Sequence, residues 1–342
     1  MTNIRGLVII MQKNTSVSSN SLLIRVIEFT HSRNRLFLIL VILFCAVIVA
    51  AAPLAVSSVC ARIDSAWNDG WRAWRADDAQ AALECWSRHP YIARIAPRPA
   101  RLCYWRVRAL EKLGRYYEAE ALRLRTAKLY PTDYYTYMLY PDGGCSVQFP
   151  DSQTKGDSFK YPRPWSNYVV MASKSTGISD ITIWSVMRRE SKFRAGSVSR
   201  SGAVGLMQLM PATAADIAKR MGFKLTNLKE PSQNIMLGAG YYAHLNRKFN
   251  GDIIRTVAAY NAGAGTVSSW ASLSAADWAE WVECIPYRET REFVRSVLEN
   301  RETYRIIYNG HRSDSLYSFM LEQPLPFDTL VLSGEYPGGR QK

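Results

Sequence analysis

Trp184–Thr213 reads WSVMRRESKFRAGSVSRSGAVGLMQLMPAT, and its spacing predicts a helix followed by a glycine-containing turn. Asp180 is read as the N-cap, after Gly177 and Ser179. Ile183, Val186, Met187 and Glu190 then follow at helical intervals. That interval puts the carboxyl of Glu190 on the same face as three apolar side chains, near the end of the helix. An ionised acid on an apolar face is costly unless it is paired or takes up a proton. The negative end of the helix dipole acts in the same direction. A glutamate kept protonated near neutral pH is what a general acid requires. Gly196, Gly202 and Gly205 in the following turn allow backbone to approach whatever Glu190 acts on. Taken alone, a helix-end glutamate with its head in water is the commoner case, so its neighbours must decide.

Those neighbours form an ordered set. The run ES-x-F with S-x-x-GA-x-GLMQ-x-MP-x-T is followed by NI-x-LG-x-x-Y (Asn234 to Tyr241), AAYNAG-x-G-x-V (Ala258 to Val267) and E-x-IPY-x-ET-R (Glu283 to Arg291). This series resembles the goose-type lysozyme-like catalytic domain of the soluble lytic transglycosylases, over residues 161–308. The resemblance implies a peptidoglycan-cleaving enzyme needing no cofactor and no metal. Its implied action is on the β-1,4 bond between N-acetylmuramic acid and N-acetylglucosamine. Glu190 acts first as acid and then as base, and a 1,6-anhydro ring forms without water. The substrate's N-acetyl group supplies the nucleophile, in keeping with the absence of any acid between Arg194 and Gln208.

The same resemblance assigns further substrate-binding positions. Ser199 falls near the reacting sugar, although a loop serine capping its own backbone is the alternative. Met207 and Gln208 line the subsite beside the acid, with core packing equally open for Met207. Tyr260 is expected to hold the N-acetyl group and Asn261 to shape the helix end. Glu283 is expected to contact the sugar or orient the site, and Tyr287 and Arg291 to maintain the groove wall.

Composition agrees with this class. Helix-period apolar faces recur and alternating patterns are scarce, so the expected fold is all-α: a lysozyme-like domain preceded by a short superhelical, tetratricopeptide-like hairpin segment and an N-terminal membrane helix. With 342 residues there is room for two cores. A net charge of +14 calls for an anionic neighbour such as a membrane surface, nucleic acid or the acidic wall polymer. No nucleic-acid partner is expected, because the basic residues are scattered and no binding module appears. The six cysteines lack metal-ligand spacing. Cys85 and Cys103 either pair across neighbouring helices or remain buried thiols.

Taken in order, residues 1–35 are basic, and Leu36 to Ala52 is an apolar run of 17 residues. Residues 36–59 are therefore expected to be a transmembrane anchor or signal sequence, an uncleaved inner-membrane anchor being favoured. The positive flank places the N-terminus in the cytoplasm and the bulk on the periplasmic side. Residues 61–142 read as paired helices, with Trp67, Trp71 and Trp74 at helical spacing and two helices joined at Gly114. Two hairpins leave an exposed end that a protein partner or the catalytic domain must cover. Residues 143–160 read as a linker, 161–310 as the catalytic domain and 311–342 as a tail without assigned structure. Two other readings stay open: a lysozyme-type hydrolase on the same fold, and a non-enzymatic glycan-binding scaffold of a wall-spanning machine.

Overall fold

The computed structural model describes residues 61–88, 99–140, 159–273 and 275–309. The basic N-terminus, the apolar segment at 36–59, most of the linker and the tail lie outside these residues. Among the described residues, no helix is long and apolar enough to cross a membrane.

Helices carry the whole framework of the described chain. The first part contains α1 (61–75), α2 (Ala79–Ser87), α3 (Pro99–Lys112), α4 (Tyr116–Leu129) and the short α5 (Tyr134–Met138). The expected hairpin is there, with α3 packed on α4 and Gly114 between them. The tryptophans of α1 are core residues: Trp67 stacks on Trp86, and Trp71 and Trp74 meet the edge of Trp105 at 5.0 and 5.4 Å. Cys85 and Cys103 are free thiols, which settles the alternative left open above.

The second part holds α6 (Ser166–Thr176), α7 (Asp180–Ser191), α8 (Pro211–Arg220), α9 (Pro231–Lys248), α10 (Ile253–Ala262), α11 (Ala264–Ser269), α12 (Trp278–Cys284) and α13 (Arg288–Asn309). α13 is the organising rod, packing against α5, α7, α10 and α12. Asn300 on α13 donates to the Ser185 carbonyl on α7 at 3.3 Å, fixing the two helices in register. Helix starts follow local chemistry. The Asp252 side chain accepts from the Arg255 N–H at 2.9 Å, and that of Asp277 from the Glu280 N–H at the same distance. At α7 the start differs by one position. Ser179 takes the cap position without a side-chain bond, and Asp180 is the first helical residue, accepting from the Ile181 N–H at 2.8 Å.

One buried cluster runs through both parts, so part of the hairpin surface is covered from within the chain. α12 presents an acid on each successive turn to the hairpins. Asp277 pairs with Arg108 at 2.9 Å. Glu280 accepts from Trp74 Nε1 at 2.6 Å and from Arg75 at 3.4 Å. Glu283 accepts from Arg101 at 2.5 Å, Tyr135 OH at 2.5 Å and Trp105 Nε1 at 3.4 Å, and from Arg295 of α13 at 2.5 Å.

Candidate active site

The site is built where α7 stops. Ile183, Val186 and Met187 are buried and the Glu190 side chain, one turn on, is half-buried. The helix ends not at a glycine but at Lys192 and Phe193, both in the left-handed region with φ of 49° and 65°. Such backbone costs about 1–3 kcal/mol per residue. It turns the chain sharply just beyond Glu190.

Burial pushes the Glu190 carboxyl up to about 8; neighbouring Arg189 opposes the rise and Glu289 adds to it. No hydrogen bond or ion pair satisfies Glu190 among the described residues. Tyr260 lies close enough to feel its charge, which together with burial drives the phenol well above its ordinary value. Phe293 stacks on Tyr260 at 6.3 Å with an interplanar angle of 4°, and Tyr241 leans on it from the other helix at 5.2 Å. The acid therefore lies near an aromatic cluster made by α9, α10 and α13.

The turn after α7 is held by its own polar atoms and two isolated bridges, Val198 with Val204 and Val204 with Leu209. The Ser199 hydroxyl bonds Ser201 at 2.9 Å and accepts from the Ala203 N–H at 2.9 Å, so it closes the loop. Gln208 has a φ of 47°, and its side-chain amide donates to the carbonyls of Gly205 (2.8 Å) and Ser197 (3.2 Å). Met207 is buried, and a methyl group at Gly238 of α9 would collide with its side chain. Core packing is thus the reading that fits Met207. Its backbone is still used: the Met207 N–H donates to Asn234 Oδ1 at 2.7 Å, and the Tyr260 hydroxyl donates to the Met207 carbonyl at 2.9 Å.

Asn234, the first residue of the NI-x-LG-x-x-Y run, is the anchor of this turn. It is fully buried, and its amide also donates to the carbonyls of Val204 (3.0 Å) and Leu228 (2.8 Å). Gly205, at φ 84°, lies against it. We expect Gly205→Ala to cost roughly 2–4 kcal/mol, from left-handed strain plus displacement of the Asn234 amide. Denaturant unfolding measures this directly, and a loss below about 1 kcal/mol would mean the turn repacks freely.

The remaining assignments divide. Asn261 accepts from the Thr290 hydroxyl at 2.7 Å, tying the end of α10 to α13, which agrees with shaping the helix end. Tyr287 is exposed and meets the edge of Trp270 at 5.5 Å, as a wall residue would. Arg291 holds the turn before α13 through the carbonyls of Ile285 and Pro286. Of the two roles expected of Glu283, its surroundings suit orienting the site. Its side chain is buried with both carboxylate oxygens bound, at the joint with the hairpins, and it is not among the charges that act on Glu190. The carboxylate that does act on Glu190 is Glu289, exposed on the first turn of α13. The run E-x-IPY-x-ET-R contains both acids, and only their positions around the turn distinguish them.

Comparison with known proteins agrees with this geometry. The family described as Transglycosylase SLT domain matches residues 167–279. This segment is similar to that domain. The soluble lytic murein transglycosylase of Salmonella typhimurium is 34% identical over 152 residues, 43% of this chain and 24% of its own length. The Escherichia coli protein of the same name is 33% identical over 152 residues, with the same shares. The matched region is thus about a quarter of the length of these curated relatives. In fold, the chain is similar to an inactive mutant of lytic transglycosylase Slt from Pseudomonas aeruginosa, with a TM-score of 0.55 and 22% identity over 71% of this chain and 54% of that one. That likeness reaches beyond the SLT domain into the helical hairpins.

Proposed function

We propose that the chain is a peptidoglycan lytic transglycosylase, with Glu190 as its acid and then its base. The observation that carries this reading is the unpaired, half-buried Glu190 carboxyl, holding its proton up to about pH 8 near Tyr260. Cleavage starts with that proton. Glu190 donates it to the glycosidic oxygen as the bond to C1 of the muramic acid breaks. The sugar's N-acetyl oxygen closes onto C1 and stabilises the cation. Glu190, now a carboxylate, takes the proton of the 6-hydroxyl, whose oxygen attacks C1 and displaces the N-acetyl oxygen. The product is a 1,6-anhydro end. Tyr260 is committed to the Met207 carbonyl through its hydroxyl, so its part is to position the acid and present an aromatic edge to the N-acetyl group. Ser199 and Gln208 hold the turn that shapes the subsite.

Glu289 favours one alternative, a hydrolase in which this second carboxylate activates water. Mass analysis of products from purified peptidoglycan separates the two. Fragments lighter by one water than lysozyme products support the transglycosylase, and reducing ends with that water retained support hydrolysis. In either case activity falls as pH rises through about 8, because the acid must be protonated. A pH profile of fragment release checks this, and an unchanged rate at pH 9.5 would remove Glu190 from the role. The basic flank of the apolar segment at 36–59 supports tethering to the inner membrane with the enzyme on the periplasmic side.

A further inference from the structure

A cavity of about 310 Å³, unused by the cleavage chemistry, lies between α1, α3 and α13. That volume is at the lower end of the range for ligand pockets. Four arginines line it: Arg101 from α3, and Arg288, Arg291 and Arg295 from one face of the first two turns of α13. Trp67 and Leu102 give it an apolar wall, and the Arg101 guanidinium lies 3.3 Å from the centre of the Trp67 ring.

The arginines outnumber the groups that satisfy them. Glu283 takes one nitrogen of Arg295 and two of Arg101, and Glu292 takes another of Arg295 at 2.7 Å. Arg295 is buried, yet its Nε has no hydrogen-bond partner. The Arg291 side chain meets only two backbone carbonyls, and Arg288 has no side-chain partner among the described residues. Asp64 at the rim is the other acid lining the cavity. Burial lowers the pKa of Arg291, and the charge of Arg295 lowers it further. Like charges gathered in a cleft are stabilised by an anion, and planar guanidinium forks bind carboxylates in pairs of hydrogen bonds.

The geometry points to a carboxylate-binding site here, and we propose that it takes a free carboxylate of the short peptide that branches from the wall polymer's muramic acid. This rests on the reading of the chain as a wall-cutting enzyme. Position favours the peptide. Glu289 and Phe293 sit on the face of α13 that acts on Glu190 and Tyr260, and Arg288, Arg291 and Arg295 on the face that lines the cavity. A helix with its side chains is about 10–12 Å across, a distance spanned by about three extended residues. The apolar wall suits the alkyl part of an amino acid better than a bare inorganic ion.

Calorimetric titration of the full chain with the sugar-free stem tripeptide tests the site without any bond being cut. Saturable binding is expected. Arg288→Glu should weaken it by about tenfold or more without changing the melting temperature, since Arg288 is exposed and unpaired. Asp64→Asn, which removes a competing charge, should strengthen it by about threefold. The tripeptide with its carboxylates amidated should not bind. The proposal is overturned if the free tripeptide fails to bind, if the amidated form binds equally well, if Arg288→Glu binds like the parent, or if inorganic phosphate binds as tightly as the peptide. Product analysis and the Glu190 variant test the cleavage reading independently, so failure of one leaves the other standing.

Discussion

Glu190→Gln should reduce the release of soluble fragments from purified peptidoglycan by about 10²–10⁴-fold or more, with the fold unchanged at neutral pH. Two features of the site give this expectation. Burial holds the parent carboxyl largely protonated at pH 7, so a neutral amide of the same shape disturbs neither packing nor charge. What it lacks is the proton to give and the carboxylate to take one back. The stability consequence has a definite sign. A carboxyl whose pKa is raised on folding, here from its ordinary 4.5 to about 8, favours the folded state at low pH. That advantage is whole below pH 4.5 and is lost progressively as pH rises from there through about 8, because only the unfolded chain can ionise the group freely in that interval. The glutamine variant has no such loss, so its melting temperature should exceed the parent's at pH 8 and above and match it at pH 4. Glu289 supplies a control. Glu289→Gln removes a charge that raises the Glu190 pKa, so the alkaline limb of the activity profile should shift to lower pH. Retained activity in Glu190→Gln would end the assignment, and an unmoved limb in Glu289→Gln would detach that residue from the acid.

Much of this arrangement was legible in the order of residues, and the reasons are physical. Helices announce themselves through apolar spacing and punctuation, so the α3–α4 hairpin turns at Gly114 as expected. Glu190 is legible because its own helix puts it beside Ile183, Val186 and Met187, a relation internal to about two turns of chain. The residues whose roles the sequence leaves open depend on contacts between distant segments. Met207 could not be divided between core and subsite until Gly238, thirty-one residues on, was seen beneath it. Asn234 looks like one polar residue in a helix start, and only the folded turn reveals three backbone groups converging on its amide. Glu283 and Glu289 are both acids of one short run. Their separation into one that pairs with Arg101 and Arg295 and one whose charge reaches Glu190 follows from which face of the α12–α13 corner meets the hairpins. No periodicity within the run encodes that.

Glu283→Ala should be strongly destabilising, costing about 3–5 kcal/mol in denaturant unfolding. Burial alone would raise the pKa of this carboxyl. Arg101 and Arg295 outweigh that cost and, with hydrogen bonds from Arg101 and Tyr135, hold it at about 2. Removing it leaves the buried Arg295 and the partly buried Arg101 facing each other without their shared counter-charge, and leaves the Tyr135 hydroxyl and Trp105 N–H short of an acceptor. The cost is therefore mainly that of stranding the partners, and it exceeds the net worth of the ion pairs themselves. The pH dependence follows with the opposite sign to that of Glu190. A pKa depressed from 4.5 to about 2 stabilises the fold above pH 4.5, and this contribution disappears as pH falls through about 2. The parent should lose stability over that interval and the alanine variant much less. Because the same corner sets the first turn of α13, from which Glu289 acts on Glu190, loosening it should also lower activity while the variant is still folded. A loss below about 1 kcal/mol would show that water enters the joint and solvates the stranded guanidinium groups, and that the hairpins are held on the domain by their tryptophan core instead.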